Sequence, residues 1–467
     1  MSFLEERKAL TREKRLMSLS HFNGNLEGLI DETSGTEIKQ RIRTFTQIHR
    51  DETIAAFDVL SKIEDAFIII NGAIGCGSLG LAVDDDKSFN WIATDLNERD
   101  TILGGDDKLR EAVERAYEEH HPKVIFIIGT PVVAINNDDI NSVILELEDE
   151  LGVSIISIYT DGFKSKTPVT GYDIVTHSLL KYVVKKEVTD RDDFINIISF
   201  SEGLQDVVEI SKIFKALNIK FQVIPRFSSI EEIKKASLAR ASVVLNPEEG
   251  EYLAKELEEV FGVPYISSEA PIGFRGTKNF ILKLANFLRI EDDAIAYIDE
   301  IENELTANFN NDLLTDKKIF VDAPLSKIPA LTRYITNLGG EVVGFGSPFV
   351  DLENRKQLKR LDFLKNSVST IIGNGQLFEK ANEISKDQVD IFVTDFEGYE
   401  DLGHEGVVIV NLRKQTSYGF AGVDKLSKAF TKAIRVLEND KKIQKESIYK
   451  PSWKKRSGNW YVKQEVS

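Results

Sequence analysis

The chain has 467 residues, too many for one hydrophobic core, so two or three domains are expected. Its apolar content of 42% and charged content of 29% fit a soluble globular protein, and its net charge of −17 argues against nucleic acid and anionic membranes as partners. The single cysteine forms no internal disulfide, and no apolar run approaches a membrane span.

The opening, MSFLEERKALTREKR, reads as charged helix rather than a targeting sequence, so a cytoplasmic protein is expected. Residues 1–60 read as a polar, mostly helical segment with a loop near HFNGN. Strand-like runs follow: AFIIING (66–72), FNWIATD (89–95), KVIFIIGT (123–130) and VSIISIYT (153–160). Amphipathic helices such as DDKLREAVERAYEEH and NNDDINSVILELEDELG alternate with them, which marks a first α/β domain over 61–190. A second, over 191–300, contains FINIISF, FQVIPRF, ASVVLN and VPYISS. A third, over 301–440, contains KKIFVDA, GEVVGFGS, VSTIIGNG, DIFVTDF and GVVIVNL. Residues 441–467 read as a basic tail. The expected fold is therefore α/β, with three consecutive doubly wound (Rossmann-like) parallel-sheet domains. Ligands of such sheets bind beyond the carboxyl ends of the strands, where Cys76, Thr130, Asn246, Gly346 and Asn374 fall.

The stretch IIINGAIGCGSLGLA (68–82) holds the lone cysteine among glycines. Gly75-Cys76-Gly77-Ser-Leu-Gly80 has the form of a dinucleotide fingerprint, and Asp95 stands where a ribose-binding acid belongs. That motif also needs a helix after its third glycine, yet only LAVDDDK separates Gly80 from the next strand. Three consecutive aspartates there repel phosphate. The remaining readings are a tight turn around a small buried thiol, or a loop offering one thiolate to a ligand.

Three blocks in order widen the view: the strand into NGAIGCG, IATDLNERDTILGGDDKLREAV (92–113), and HPKVIFIIGTPVVAINNDDINSV (121–143). They resemble component 1 proteins of the nitrogenase family. TDGFKSKTPVTGYD (160–173), GVPYISSEAPIGFRGTKNFI (262–281) and SYGFAG (417–422) extend the likeness over nearly the whole chain. The resemblance implies three α/β domains, paired subunits, an iron–sulfur cluster at the subunit interface, and an ATP-dependent iron–sulfur reductase as electron donor. It assigns Cys76 as cluster ligand, with Gly72, Gly75 and Gly77 allowing close approach and Thr130 lining the same interface.

The sequence departs from the family at the other ligand positions. Of three interface cysteines only Cys76 matches; Phe45 and Pro131 occupy the other two places. A full cluster then requires ligands from a second component 1 subunit, so a heterodimer or heterotetramer ranks ahead of a homodimer. A homodimer would need unusual oxygen or nitrogen ligands, such as His49 or an aspartate. The cysteine and histidine that hold the large metal cofactor of nitrogen-reducing relatives fall near Asn246 and at Tyr418. No nitrogenase-type molybdenum cofactor is therefore expected, and no nitrogen fixation. Asn246, Arg275, Tyr418 and His404 are the candidate lining of a pocket for another substrate. The expected function is an ATP-coupled multi-electron reduction in an anaerobic metabolism. The alternatives are a scaffold for metal-cofactor assembly and a catalytically silent partner subunit. His120, His121 and His177 read as helix residues without a ligand role.

Overall fold

The computed structural model describes residues 15, 17–39, 51–77, 90–160, 167–186, 190–306, 310–373, 377–399, 402–403 and 406–446. Two short strands come first, β1 (Ser18–Leu19) and β2 (Phe22–Asn25). The first parallel sheet follows, from β3 (Ala66–Asn71), β4 (Trp91–Ala93), β5 (Val124–Gly129) and β6 (Ser154–Tyr159), in the order β4-β3-β5-β6. β3 and β5 are central and buried at every residue, which explains why they read as unbroken apolar runs.

The helices of this sheet are amphipathic. Asp106–His120 buries Leu109, Ala112, Val113 and Ala116, and Ile140–Leu151 buries Ile140, Val143, Ile144 and Leu147. Both stripes close on Phe67, Ile69, Ile125 and Ile127 of the sheet. Asp139 caps the second helix by accepting from the Ser142 N–H at 3.2 Å, and Gly152 ends it in the left-handed region at φ 65°. His121 ends the first helix, and the His120 ring packs on Phe67 at 4.6 Å, so both histidines serve the helix end.

The second parallel sheet contains β7 (Ile195–Ser199), β8 (Phe221–Pro225), β9 (Ala241–Val244) and β10 (Tyr265–Ile266), ordered β10-β9-β7-β8. The helices Glu52–Leu60 and Val169–Ser178 meet so closely that a Cβ on Gly171 would lie 2.1 Å from the Glu52 carbonyl oxygen. Arg15 and Asp173 form a fully buried ion pair at 2.8 Å, and Arg15 also donates to the Glu248 carbonyl at 2.7 Å.

The third sheet has six strands: β2, then β11 (Lys318–Asp322), β12 (Glu341–Ser347), β14 (Ser369–Ile372), β15 (Ile391–Thr394) and β16 (Val408–Asn411). Its order is β16-β15-β11-β12-β14-β2, with β2 the antiparallel edge; β13 (Val350–Asp351) pairs separately with β1. The loop expected at HFNGN is thus a strand, with Phe22 opposite Ile372 and Asn25 opposite Ser369. Only Phe22 of that strand is buried, and Asn25 caps the next helix by accepting from the Gly28 N–H at 2.9 Å. Polar turn residues are tolerated there because the strand is an edge. The helix Gly419–Glu446 runs on past Lys441, where the tail was expected, and the remainder of that tail lies outside the described residues.

The three sheets, parallel apart from the edge strand β2 and joined by helical crossovers, are the expected doubly wound α/β layers. The chain packs as two compact units. One draws its described residues from Met1–Leu16, His49–Glu202 and Ile219–Ser267, and holds the first two sheets. The other draws on Met17–Ile48, Gly203–Asn218 and Ser268–Ser467, and holds the third. The helix Leu204–Ala216, which joins β7 to β8 in the sequence, belongs to the second unit. Among the described residues no helix is long and apolar enough to cross a membrane.

Candidate functional site

Beyond the carboxyl ends of the first sheet, threonine hydroxyls tie strand to strand. Thr94, just after β4, receives the Gly72 N–H at 2.9 Å and donates to Asn71 Oδ1 at 3.0 Å. Thr130, just after β5, is fully buried and donates to the Asn71 carbonyl at 2.8 Å. Thr160, just after β6, donates to the Gly129 carbonyl at 2.6 Å and is linked to Thr53 Oγ1 at 2.9 Å. These ties fix the end of β3, from which the cysteine loop departs.

The loop turns at once into helical residues 74–77, with the Cys76 and Gly77 N–H groups donating to the Ala73 carbonyl at 2.9 and 3.2 Å. The three candidate glycines do different things. A Cβ on Gly72 would sit 2.3 Å from Thr130 Oγ1, and one on Gly77 would sit 2.7 Å from the Ala93 Cβ. Both are required by the protein's own packing. Among the described residues, a Cβ on Gly75 would meet nothing within 4 Å.

Cys76 is partly exposed and lines a cavity of about 80 Å³ with Asp51, Phe57, Ile70, Thr130 and Pro131 among others. The apolar walls push its thiol pKa above the ordinary value, and the Asp51 carboxylate pushes it further in the same direction. Pro131, at the place of a family cysteine, therefore faces the same space as Cys76. Phe45 and His49 lie outside the described residues.

An iron–sulfur cluster takes about four ligands. The chain has one cysteine, and among the described residues no three His, Cys, Asp or Glu side chains converge to hold a metal. The residues present do not fit a complete cluster. They fit one donor, on a fixed strand end.

The other candidates are divided between the two units. Asn246 belongs to the first unit, is buried, and caps the helix Pro247–Phe261 by accepting from the Glu248 N–H at 3.2 Å. Arg275 and Tyr418 belong to the second. Arg275 is exposed on the helix Gly273–Leu288. Tyr418 is fully buried, pairs by its backbone with Ile272, and lies under the Lys327 ammonium, 5.3 Å from its ring. His404 and Asn374 lie outside the described residues. Gly346 sits within β12, where a Cβ would stand 2.3 Å from Asp322 Oδ1.

Two polar arrangements escaped the sequence reading. Asp51 entered no candidate list, although it borders the cysteine; it is also the N-cap of Glu52–Leu60, accepting from the Ile54 N–H at 2.8 Å. In the second unit Asp206 accepts from the Ser417 and Tyr418 N–H groups at 2.7 and 3.1 Å, and Lys327 pairs with Asp395 at 2.8 Å. Burial raises the Asp206 pKa to about 6, against the pull of those bonds and of Lys327. The threonines closing IATD, IIGT and IYT were the one available signal: a hydroxyl in the same place after three strands.

The family model described as Nitrogenase component 1 type Oxidoreductase matches residues 53–435. The nitrogenase iron-molybdenum cofactor biosynthesis protein NifE of Clostridium pasteurianum is 30% identical over 353 residues, covering 72% of this chain and 75% of that protein. The nitrogenase molybdenum-iron protein alpha chain of Methanosarcina barkeri is 25% identical over 327 residues, covering 65% of this chain and 61% of that one. A solved structure, "Nitrogenase Cp1 at pH 5", superposes with a TM-score of 0.77 at 19% identity, covering 96% of this chain and 98% of that chain, a likeness of fold. With four-fifths of its length inside the family match and the loop, threonine ties and sheets in place, the chain belongs to the nitrogenase component 1 type oxidoreductases.

Proposed function

We propose that the chain is one subunit of a cytoplasmic, heteromeric component 1-type protein, in which Cys76 gives a single thiolate to an iron–sulfur cluster completed by a second subunit. The observation that carries this reading is the lone cysteine on a strand end fixed by Thr94 and Thr130, lining a cavity with Pro131. Exposed apolar residues on the segments that follow β3, β4 and β5 support a protein partner there: Ile74, Ile102, Leu103 and Ile135 are 63%, 80%, 72% and 69% exposed. The helices bearing the last three touch, with Asn136 Nδ2 donating to the Thr101 carbonyl at 3.0 Å. The raised thiol pKa fits a group that becomes a thiolate only when a metal claims it.

In this reading the assembly takes electrons from an ATP-dependent iron–sulfur reductase and reduces a substrate other than dinitrogen. A second reading, assembly of a metal cofactor on the heteromer, is favoured by the relative named for iron-molybdenum cofactor biosynthesis. The test is iron and acid-labile sulfide on anaerobically purified protein, alone and with a co-expressed component 1 neighbour, for wild type and Cys76→Ser. About four irons per heteromer, lost in Cys76→Ser, are expected. Iron in large excess of four that moves to an apo-relative on mixing supports the scaffold. No iron in either preparation ends the cluster reading.

A further inference from the structure

Two helices of the second unit, Gly273–Leu288 and Ile328–Asn337, border a cleft that the cysteine site leaves unused. Arg275, Arg333, Asn337 and Glu269 are among its lining residues. Arg275 and Asn337 are exposed at its mouth, and among the described residues Arg275 pairs with no carboxylate.

Arg333 is held from three sides. Its Nη2 donates to the Arg360 carbonyl at 3.0 Å, its guanidinium carbon stands 5.0 Å from the centre of the Phe363 ring, and its Nη1 reaches the two Glu269 oxygens at 3.4 and 3.3 Å. Charge-assisted hydrogen bonds of full strength measure about 2.7–2.9 Å, so Glu269 is a loose partner. The Arg360 guanidinium approaches the same carboxylate at 3.6 Å. Among the described residues Glu269 is the one carboxylate paired with these arginines. Three arginines and one glutamate leave a local excess of two positive charges, on a chain whose net charge is −17. The cavity between the helices is about 20 Å³, room for a single oxygen atom rather than for a whole ligand.

We propose that this cleft binds the phosphate group of a small phosphorylated molecule. One phosphate oxygen enters the cavity, Arg333 and Arg275 present their guanidinium forks to the others, and the Asn337 amide donates beside them. A phosphate monoester carries nearly two negative charges at neutral pH and so matches the local excess, whereas a carboxylate carries one. The body of the ligand stays outside, so recognition rests on the phosphate itself, and inorganic phosphate is also a ligand.

The test titrates the full chain with inorganic phosphate by isothermal calorimetry, in a chloride buffer of fixed ionic strength at pH 7.5, with methyl phosphate and acetate in parallel. Saturable one-to-one binding of phosphate and methyl phosphate is expected, with acetate weaker by about tenfold or more. Arg275→Gln, an exposed change, should weaken phosphate by about tenfold or more without moving the melting temperature. Glu269→Gln removes the competing carboxylate and should tighten phosphate, a direction that mere loss of structure does not produce. Three results overturn the proposal: no saturable phosphate binding, equal binding by wild type and Arg275→Gln, or acetate bound as tightly as phosphate. Binding of inorganic phosphate without methyl phosphate also overturns it, because the ligand is then the free anion.

Discussion

A Cβ on Gly72 would stand 2.3 Å from Thr130 Oγ1, and that hydroxyl is itself committed to the Asn71 carbonyl at 2.8 Å. Glycine at 72 and threonine at 130 therefore fit each other, and neither can change alone without moving the end of β3. Gly72→Ala is expected to destabilise the first unit by about 1–3 kcal/mol through overpacking. Combining it with Thr130→Ala should cost less than the sum of the two single changes. Denaturant unfolding of the four proteins checks this, and strict additivity would refute the coupling.

Cys76 titrates high because it is walled by apolar groups and bordered by Asp51. Its alkylation by iodoacetamide at pH 8 should be slower than that of an unstructured thiol. Asp51→Asn keeps an oxygen to cap Ile54 but removes the charge, and should speed alkylation by about two- to fivefold, less than one pKa unit. An unchanged rate would show that burial alone sets the thiol.

Asp206 has a native pKa of about 6 against an ordinary aspartate value of 3.8, and burial is the largest cause. The native state thus holds its proton where the unfolded chain releases it. Stability is fully present below about pH 4 and is lost as pH rises through 6, at a cost of about 3 kcal/mol above that window. Asp206→Asn retains an acceptor for the Ser417 and Tyr418 N–H groups. It should melt several degrees above wild type at pH 7.5, with the gap closing toward pH 4. A gap independent of pH would contradict the assignment.

Lys380 and Asp322 form a buried ion pair at 2.6 Å, and the Tyr399 hydroxyl also meets the Lys380 ammonium. Burial and the Asp322 carboxylate raise the Tyr399 pKa, keeping the phenol protonated. Lys380→Met should destabilise by about 3–5 kcal/mol, because a carboxylate is left buried without its cation. Adding Asp322→Asn should recover much of that loss in the same unfolding assay.

The sheets were legible because their central strands are buried on both faces: AFIIIN and VIFIIG can only be such strands once turns bound them. β2 was not, since FNGN carries one apolar residue and its pairing with β14 depends on a segment more than three hundred positions away. The cysteine loop was legible from its glycines, but not which of them the protein needs for itself; that depends on Thr130 and Ala93, distant in the chain. Asp51 and Asp206 gave no pattern to find. Each matters through what burial places beside it, and no local spacing encodes that.

The helix Leu204–Ala216 lies between two strands of one unit and is counted with the other. Neither unit is then a continuous length of chain, and no single cut releases either intact. A fragment beginning at Ser268 would lack that helix and leave Phe280 without Phe214, whose ring stands 6.4 Å away. Such a fragment should behave as an incomplete fold, and gene truncations at the apparent sequence boundaries should yield insoluble protein where circular permutants succeed.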